Sequence, residues 1–127
     1  MIFPQLIQFS DFGLFLLRFV IGIIFLTHGM QKWGMWRMKA SPEMPSKMIN
    51  MMKMLSLVEP AAGTAMILGF FSQLAAIVLI LVMAGAIYLK VVVWKKKFTE
   101  PGGWEFDLLL LTTNLAILFL GGGSIGI

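Results

Sequence analysis

The chain has 127 residues, of which 59% are hydrophobic and only 13% charged, and its formal net charge is +4. Soluble domains carry about 25% charged residues, so this chain has too few charges to cover a soluble surface of its size. The composition predicts a small integral membrane protein in contact with lipid, with no appended soluble domain. Because the basic residues lie in connections between apolar runs, they indicate membrane orientation and argue against nucleic-acid binding.

The chain contains no cysteine and a single histidine. The missing cysteines exclude a disulfide, a thiolate metal ligand and covalent haem attachment. The lone histidine has no partner at ligand spacing, which argues against a metal site. Any redox role would therefore need a bound cofactor or a partner protein.

Four apolar segments are predicted to span the membrane, at about 12–30, 55–71, 74–93 and 106–120. No basic region precedes the first segment, so we expect it to be a retained helix and not a cleaved signal peptide. A short interfacial helix over 47–57 is expected to run into the second span. The two-residue connection 72–73 forces an antiparallel hairpin. The prediction is an all-α, antiparallel four-helix bundle forming one transmembrane domain over 1–127.

Nine of the ten lysine and arginine residues lie in or beside the first and third connections. They are Lys32, Arg37, Lys39, Lys47, Lys53, Lys90, Lys95, Lys96 and Lys97. The positive-inside rule places these two connections in the cytoplasm and both termini outside, in the cell (inner) membrane.

The stretch 25–34 ends the first span at the predicted cytoplasmic face and contains His28. His28 and Lys32 are four residues apart, so on a continuing helix they share one face. The four-span topology brings this end close to Glu59 and Glu105, which begin the second and fourth spans. We predict a polar cluster there, with His28, Glu59 and Glu105 as candidate catalytic residues. The candidate ligand-binding residues are Arg18, Gln31, Lys32, Lys90, Trp104 and Asp107.

Three of these residues also have a structural interpretation. His28 can be a hydrogen-bonded or headgroup-wetted residue at a helix end. Glu59 can form an ion pair with Lys32, Lys90 or Arg18 that fixes the helix register. Arg18, inside the first span, can extend to the interface or face the bundle and pair with an acid. No nucleophile–base pair or phosphate loop is present, so the chain has no motif for self-sufficient catalysis.

The order and spacing of these residues resemble the DoxX family over nearly the whole chain. The resemblance rests on Arg18, Phe25, His28-Gly29 and Lys32, on Glu59 with Gly63 and Gly69, and on Gly102-Gly103-Trp104-Glu105-Phe106. The chain departs from the family at Pro60-Ala61-Ala62-Gly63, where a more glycine-rich stretch is expected. The resemblance implies a membrane subunit linked to quinone-coupled oxidation of sulfur compounds, in complexes with other oxidoreductase subunits.

Three hypotheses follow. In the first, a quinone or another lipid-soluble molecule binds beside the cluster, and His28 hydrogen-bonds or exchanges protons with a carbonyl. In the second, the chain is a non-catalytic anchor whose basic loops recruit a soluble or membrane oxidoreductase partner or anionic lipid. The third, a transporter, ranks last because four spans leave little room for a path, and it would require a homo-oligomer.

Overall fold

The computed structural model describes all 127 residues and contains four α-helices and no strands, which confirms the all-α prediction. The helices are α1 (Ser10–Gln31), α2 (Ser46–Leu68), α3 (Ser72–Tyr88) and α4 (Glu105–Leu120). Short turns of other helical types extend two of them. They are the 3₁₀ segments Pro4–Phe9 and Lys32–Arg37 on either side of α1, and the π-helical segment Leu89–Val93 after α3.

Three helical stretches are long and apolar enough to cross a membrane: Pro4–Arg37, Ser46–Leu68 and Ser72–Val93. The fourth helix, α4, has 16 residues, fewer than the roughly 20 that usually span the hydrocarbon core. The expected interfacial helix is not a separate element, since residues 46–54 belong to the continuous helix α2. No glycine or proline interrupts the chain between Ser46 and Pro60, so nothing divides the helix there.

Helices α1 and α2 form the most extensive contact in the protein, and small residues allow it. A Cβ atom added to Gly22 would lie 2.5 Å from the carbonyl oxygen of Gly63, and one added to Gly63 would lie 2.7 Å from that of Gly22. A Cβ atom on Gly29 would collide with the ring of Pro60. The two backbones can therefore approach as closely as they do only because glycine occupies these positions.

The other helices complete a shared core. Helix α3 packs mainly on α4, α2 also contacts α3, and α1 meets α4 over a short stretch. Fully buried apolar side chains come from all four helices and include Phe25, Met66, Leu79 and Ile117. Large apolar side chains also cover the outer surface of the helices, as expected for a protein surrounded by lipid.

Both chain termini and the α2–α3 turn lie at one end of the molecule. The turn contains two left-handed residues, Gly69 with φ +73° and Phe71 with φ +47°. The C-terminal segment 121–127 folds back to this turn, where the Ile127 amide donates to the Leu68 carbonyl oxygen at 2.9 Å. The two long connections, 32–45 and 94–104, therefore lie at the opposite end, which carries most of the predicted site.

Candidate functional site

An ion pair joins α2 to the end of α1. Lys32 Nζ lies 2.6 Å from Glu59 Oε2. The Glu59 side chain is only 3% exposed, whereas that of Lys32 is 23% exposed. Glu59 lies on the buried face of α2 together with Ser56 and Gly63, because residues three and four apart share a helix face. Of the three predicted partners of Glu59, Lys32 is the one that forms the ion pair.

A second ion pair joins the end of α3 to the start of α4. Lys90 Nζ lies 2.7 Å from Asp107 Oδ2, and it also donates to the Gly103 carbonyl oxygen at 3.3 Å. Asp107 is in the first turn of α4, where the helix dipole favours a carboxylate. The polar end of the molecule thus contains two ion pairs, one between the end of α1 and α2 and one between the end of α3 and α4.

His28 is in the last turn of α1, one turn before Lys32 of the first ion pair. Its ring is partly buried and meets two phenyl rings edge-on, Phe25 at 6.4 Å and Phe106 at 6.3 Å between centroids. No protein group forms a hydrogen bond with the imidazole. Both ring nitrogens therefore remain available to a ligand or to water.

The other predicted residues at this end do not join His28 in one hydrogen-bonded network. No hydrogen bond or ion pair connects His28 with Glu59 or Glu105. Glu105 begins α4 with an exposed side chain, and Gln31 is exposed as well. Trp104 packs against Phe98, with 4.6 Å between ring centroids and the rings tilted by 48°.

Arg18 lies apart from this cluster. It precedes His28 by ten residues, which corresponds to about 15 Å along an α-helix. It is 1% exposed and donates a hydrogen bond to the carbonyl oxygen of Ile125. The sequence left two positions open for the Arg18 side chain, at the interface or facing the bundle. In the structure it faces the protein interior, where it pairs with a backbone carbonyl and not with an acid.

Sequence reasoning did not single out Ser56, although it organises several contacts. The Trp33 indole N–H donates to the Ser56 carbonyl oxygen, and the Trp36 indole N–H donates to Ser56 Oγ, both at 2.9 Å. Ser56 Oγ in turn donates to the Lys53 carbonyl oxygen at 2.5 Å. The Trp33 and Trp36 spacing is the signal that could have found this site, because residues three apart share a helix face.

Asn114 is a second polar residue that sequence reasoning missed. It is completely buried in α4, where its amide nitrogen donates to the Leu110 carbonyl oxygen at 2.8 Å. Its Oδ1 atom has no hydrogen-bond partner. The only sequence signal is an amide within an otherwise apolar run.

Comparison with known proteins identifies the family of this chain. The DoxX family model matches residues 13–93, a range that contains Arg18, His28, Lys32, Glu59 and Lys90. The chain belongs to the DoxX family. A curated protein of Bacillus subtilis (strain 168), named "Putative oxidoreductase CatD", is 30% identical over 115 residues, covering 87% of this chain and 81% of that protein. No solved structure matches the chain.

Family membership and three apolar helices together make this DoxX chain a membrane protein. Two grooves lie away from His28. One, of about 320 Å³, is wholly apolar and lies between α2 and α3, with Ala61, Ala65, Phe70 and Leu74 among its lining residues. The other, of about 510 Å³, lies beside the C-terminal segment. His28 lines neither groove.

Proposed function

We propose that this DoxX protein is a four-span membrane subunit that binds a quinone, or a similar lipid-soluble carbonyl compound, at His28 within a membrane oxidoreductase system. One observation carries the proposal: a partly buried imidazole without a protein hydrogen bond lies between two phenyl rings at the polar end of an apolar helix assembly. The name of the Bacillus subtilis relative refers to an oxidoreductase, which agrees with this class of function.

The surroundings of His28 suit a planar carbonyl compound. An imidazole ring offers an N–H donor to a carbonyl oxygen and is a common proton donor and acceptor in catalysis. The edges of Phe25 and Phe106 flank the imidazole, and aromatic rings favour edge-to-face and offset contacts with another ring. The apolar outer surface of the helices would accommodate an isoprenoid tail.

The charged residues have different roles in this proposal. Glu59 acts as a positioning residue, because its carboxylate pairs with Lys32 and fixes α2 against the helix that carries His28. Lys90 and Asp107 fix α4, and with it Phe106, in the same way. Glu105 is exposed beside Phe106 and is the acid available for proton exchange with solvent. Bound quinone would supply the electron-accepting chemistry, and the electrons would come from a partner subunit.

The proposal includes a topology with four spans. Sixteen helical residues make α4 about 24 Å long, somewhat less than a hydrocarbon core of about 30 Å. Local thinning of the bilayer accommodates a short helix at modest cost. With α4 crossing, the basic connections face the cytoplasm and both termini face outside.

A second candidate function is that of a non-catalytic anchor. Lys95, Lys96 and Lys97 are exposed and form no ion pair. Such a run attracts anionic headgroups or an acidic partner protein. In this case the basic connection, and not His28, would carry the function.

Mass spectrometry of lipids extracted from gently purified protein tests the proposal. Wild-type protein is expected to retain a stoichiometric quinone, and His28→Phe to lose it, because phenylalanine keeps the ring packing but removes the hydrogen bond. Gln8→Leu is the control, since Gln8 is an exposed polar residue that precedes the opposite end of α1, and it should retain the quinone. Equal quinone in wild type and His28→Phe, or none in either folded protein, would reject the site. Loss of a co-purifying protein on neutralising Lys95, Lys96 and Lys97 would then favour the anchor.

A further inference from the structure

We propose that Arg18 forms a second binding site, for a phosphate oxyanion, and that the C-terminal segment 121–127 covers this site in the present structure. The phosphate would come from a phospholipid headgroup or from the free ion. This site lies at the opposite end of α1 from His28 and is independent of the quinone proposal.

The positive charge of Arg18 is not balanced by any acidic side chain. The side chain is 1% exposed, and it lies within a helix long and apolar enough to cross a membrane. Both ion pairs in the structure involve other residues. Asp11 is the acid at this end of α1, and its carboxylate accepts hydrogen bonds from Ser124. A buried cation without a counter-anion is costly, and a bound anion would remove that cost.

The protein supplies too few hydrogen-bond acceptors for the guanidinium group of Arg18. A guanidinium group has several N–H donors in a planar fork. The Ile125 carbonyl oxygen is the one protein acceptor that it uses, and the buried Nε atom has no partner. A phosphate group offers several charged oxygens that match this fork in pairs, and such charge-assisted bonds are stronger than a bond to a neutral carbonyl. The Ile125 carbonyl thus occupies the position that a phosphate oxygen would fill better.

The C-terminal segment 121–127, which covers Arg18, is only loosely held and can be displaced. Residues 123–127 are all exposed, so the segment buries little apolar surface. Ser124 holds it to Asp11 through its amide at 3.2 Å and its hydroxyl at 2.7 Å. The Ile127 amide holds it to Leu68 at 2.9 Å. Segments with few buried contacts open at low free-energy cost.

The adjoining groove suits an amphiphile. It has a volume of about 510 Å³ and combines a polar rim with an apolar wall. Ser10 and Asp11 form the rim, and Leu14, Leu17 and Leu120 form the wall. With the headgroup phosphate at Arg18, the leucine wall would contact the acyl chains.

The test uses the full chain in a neutral detergent, titrated with dioleoylphosphatidylglycerol, with retained lipid counted by native mass spectrometry. The matched control for Arg18→Gln is Arg37→Gln, which removes the same charge from an exposed arginine at the other end of the molecule. Wild type and Arg37→Gln should retain one lipid tightly, and Arg18→Gln should bind it about tenfold more weakly or worse. Arg18→Lys, which keeps the charge but not the fork, should fall between them and serves if Arg18→Gln does not fold.

The segment's role is tested separately. Ser124→Ala removes the hydroxyl bond to Asp11 without changing any charge near Arg18, so it should tighten lipid binding about fivefold. Sodium phosphate, compared with sodium chloride at equal ionic strength, shows whether the free ion competes; competition identifies free phosphate as a ligand, and its absence identifies the lipid headgroup. Equal lipid retention in Arg18→Gln and Arg37→Gln would overturn the site. Unchanged affinity in Ser124→Ala would overturn its covering by the C-terminal segment.

Discussion

Lys32 Nζ and Glu59 Oε2 lie 2.6 Å apart, but the two side chains are very unequally buried. The carboxylate is almost completely enclosed, whereas about a quarter of the lysine side chain reaches the surface. The ammonium group can therefore turn toward water if its partner is removed, but the carboxylate cannot. The contact ties α2 to the end of α1 next to His28, so its loss affects both stability and the proposed ligand site.

This asymmetry predicts that the two halves of the ion pair are not equivalent. Lys32→Met should lower the free energy of unfolding by about 3 kcal/mol, because it leaves a buried carboxylate unpaired. Glu59→Gln should cost only about 1 kcal/mol, because the remaining amide still accepts a hydrogen bond. Denaturant unfolding in detergent, followed by circular dichroism, measures both values. The double variant Lys32→Met/Glu59→Gln should be no less stable than Lys32→Met alone. A larger loss of unfolding free energy for Glu59→Gln than for Lys32→Met would contradict this prediction.

The close approach of α1 and α2 gives a second prediction. Gly22→Ala and Gly63→Ala should each lower the free energy of unfolding by about 2 kcal/mol, because the new methyl group meets the backbone of the facing helix and forces the helices apart. Gly85→Ala is the control, since a Cβ atom there meets nothing within 4 Å. It should be neutral or stabilising by up to about 1 kcal/mol, because alanine favours a helix over glycine. Thermal unfolding under one condition compares the stability of the three variants. Equal stability would show that Gly22 and Gly63 do not set the spacing between α1 and α2.

The tryptophan contacts with Ser56 give a third prediction. Ser56→Ala and Trp36→Phe should each cost about 1 kcal/mol of stability, because each removes the hydrogen bond between the indole and the hydroxyl. Since both substitutions break the same bond, the double variant should lose less than the sum of the two. A double-mutant cycle measures the difference. Ser46→Ala is the control, because Ser46 is the first residue of α2 and its exposed side chain forms no hydrogen bond. Simple additivity in the cycle would exclude the Trp36–Ser56 coupling.

The all-α class and the helices were predictable from the sequence, because long apolar runs bounded by polar residues leave few alternatives in a membrane. Lys32 was among the partners expected for Glu59. The choice between the two acids that begin α4 was not predictable. Glu105 and Asp107 are two residues apart, so they point to nearly opposite sides of the helix. Which one faces Lys90 depends on the rotation of α4, and that rotation is set by core packing.

The environment of Arg18 was not predictable for a different reason. Its acceptor, the Ile125 carbonyl oxygen, is 107 residues away in the sequence. Backbone carbonyls carry no residue-specific signal, and a glycine-rich chain end gives no pattern that fixes where it folds. The sequence therefore shows a charge inside a span and restricts its environment to a few alternatives, but only the fold identifies the acceptor. Ser56 differs, because the spacing of its partners Trp33 and Trp36 is a sequence signal that could have located these contacts.

The orientation in the membrane is directly testable, because the chain contains no cysteine. Ile2, Ser41 and Thr99 are exposed and uncharged, so single cysteines there leave the charge pattern intact. In whole cells, a membrane-impermeant maleimide should label Ile2→Cys but neither Ser41→Cys nor Thr99→Cys, because the positive-inside rule keeps both basic connections in the cytoplasm. After permeabilisation all three should be labelled. The cysteine-free wild type measures background, and labelling of Ser41→Cys in intact cells would reverse the orientation.

The same approach decides whether α4 crosses the membrane. Ile127 is 81% exposed, and it follows α4, the one helix too short to be a span by length alone. If α4 crosses, Ile127→Cys should react from outside, like Ile2→Cys, because an even number of spans returns the chain to its starting side. Contacts in the fold favour this outcome: Ser124 bonds with Asp11 near the start of α1, and the Ile127 amide bonds with the α2–α3 turn. Labelling of Ile127→Cys only after permeabilisation would leave α4 on the cytoplasmic side. It would also break these contacts, because Asp11 and the turn would then be on the opposite side of the bilayer.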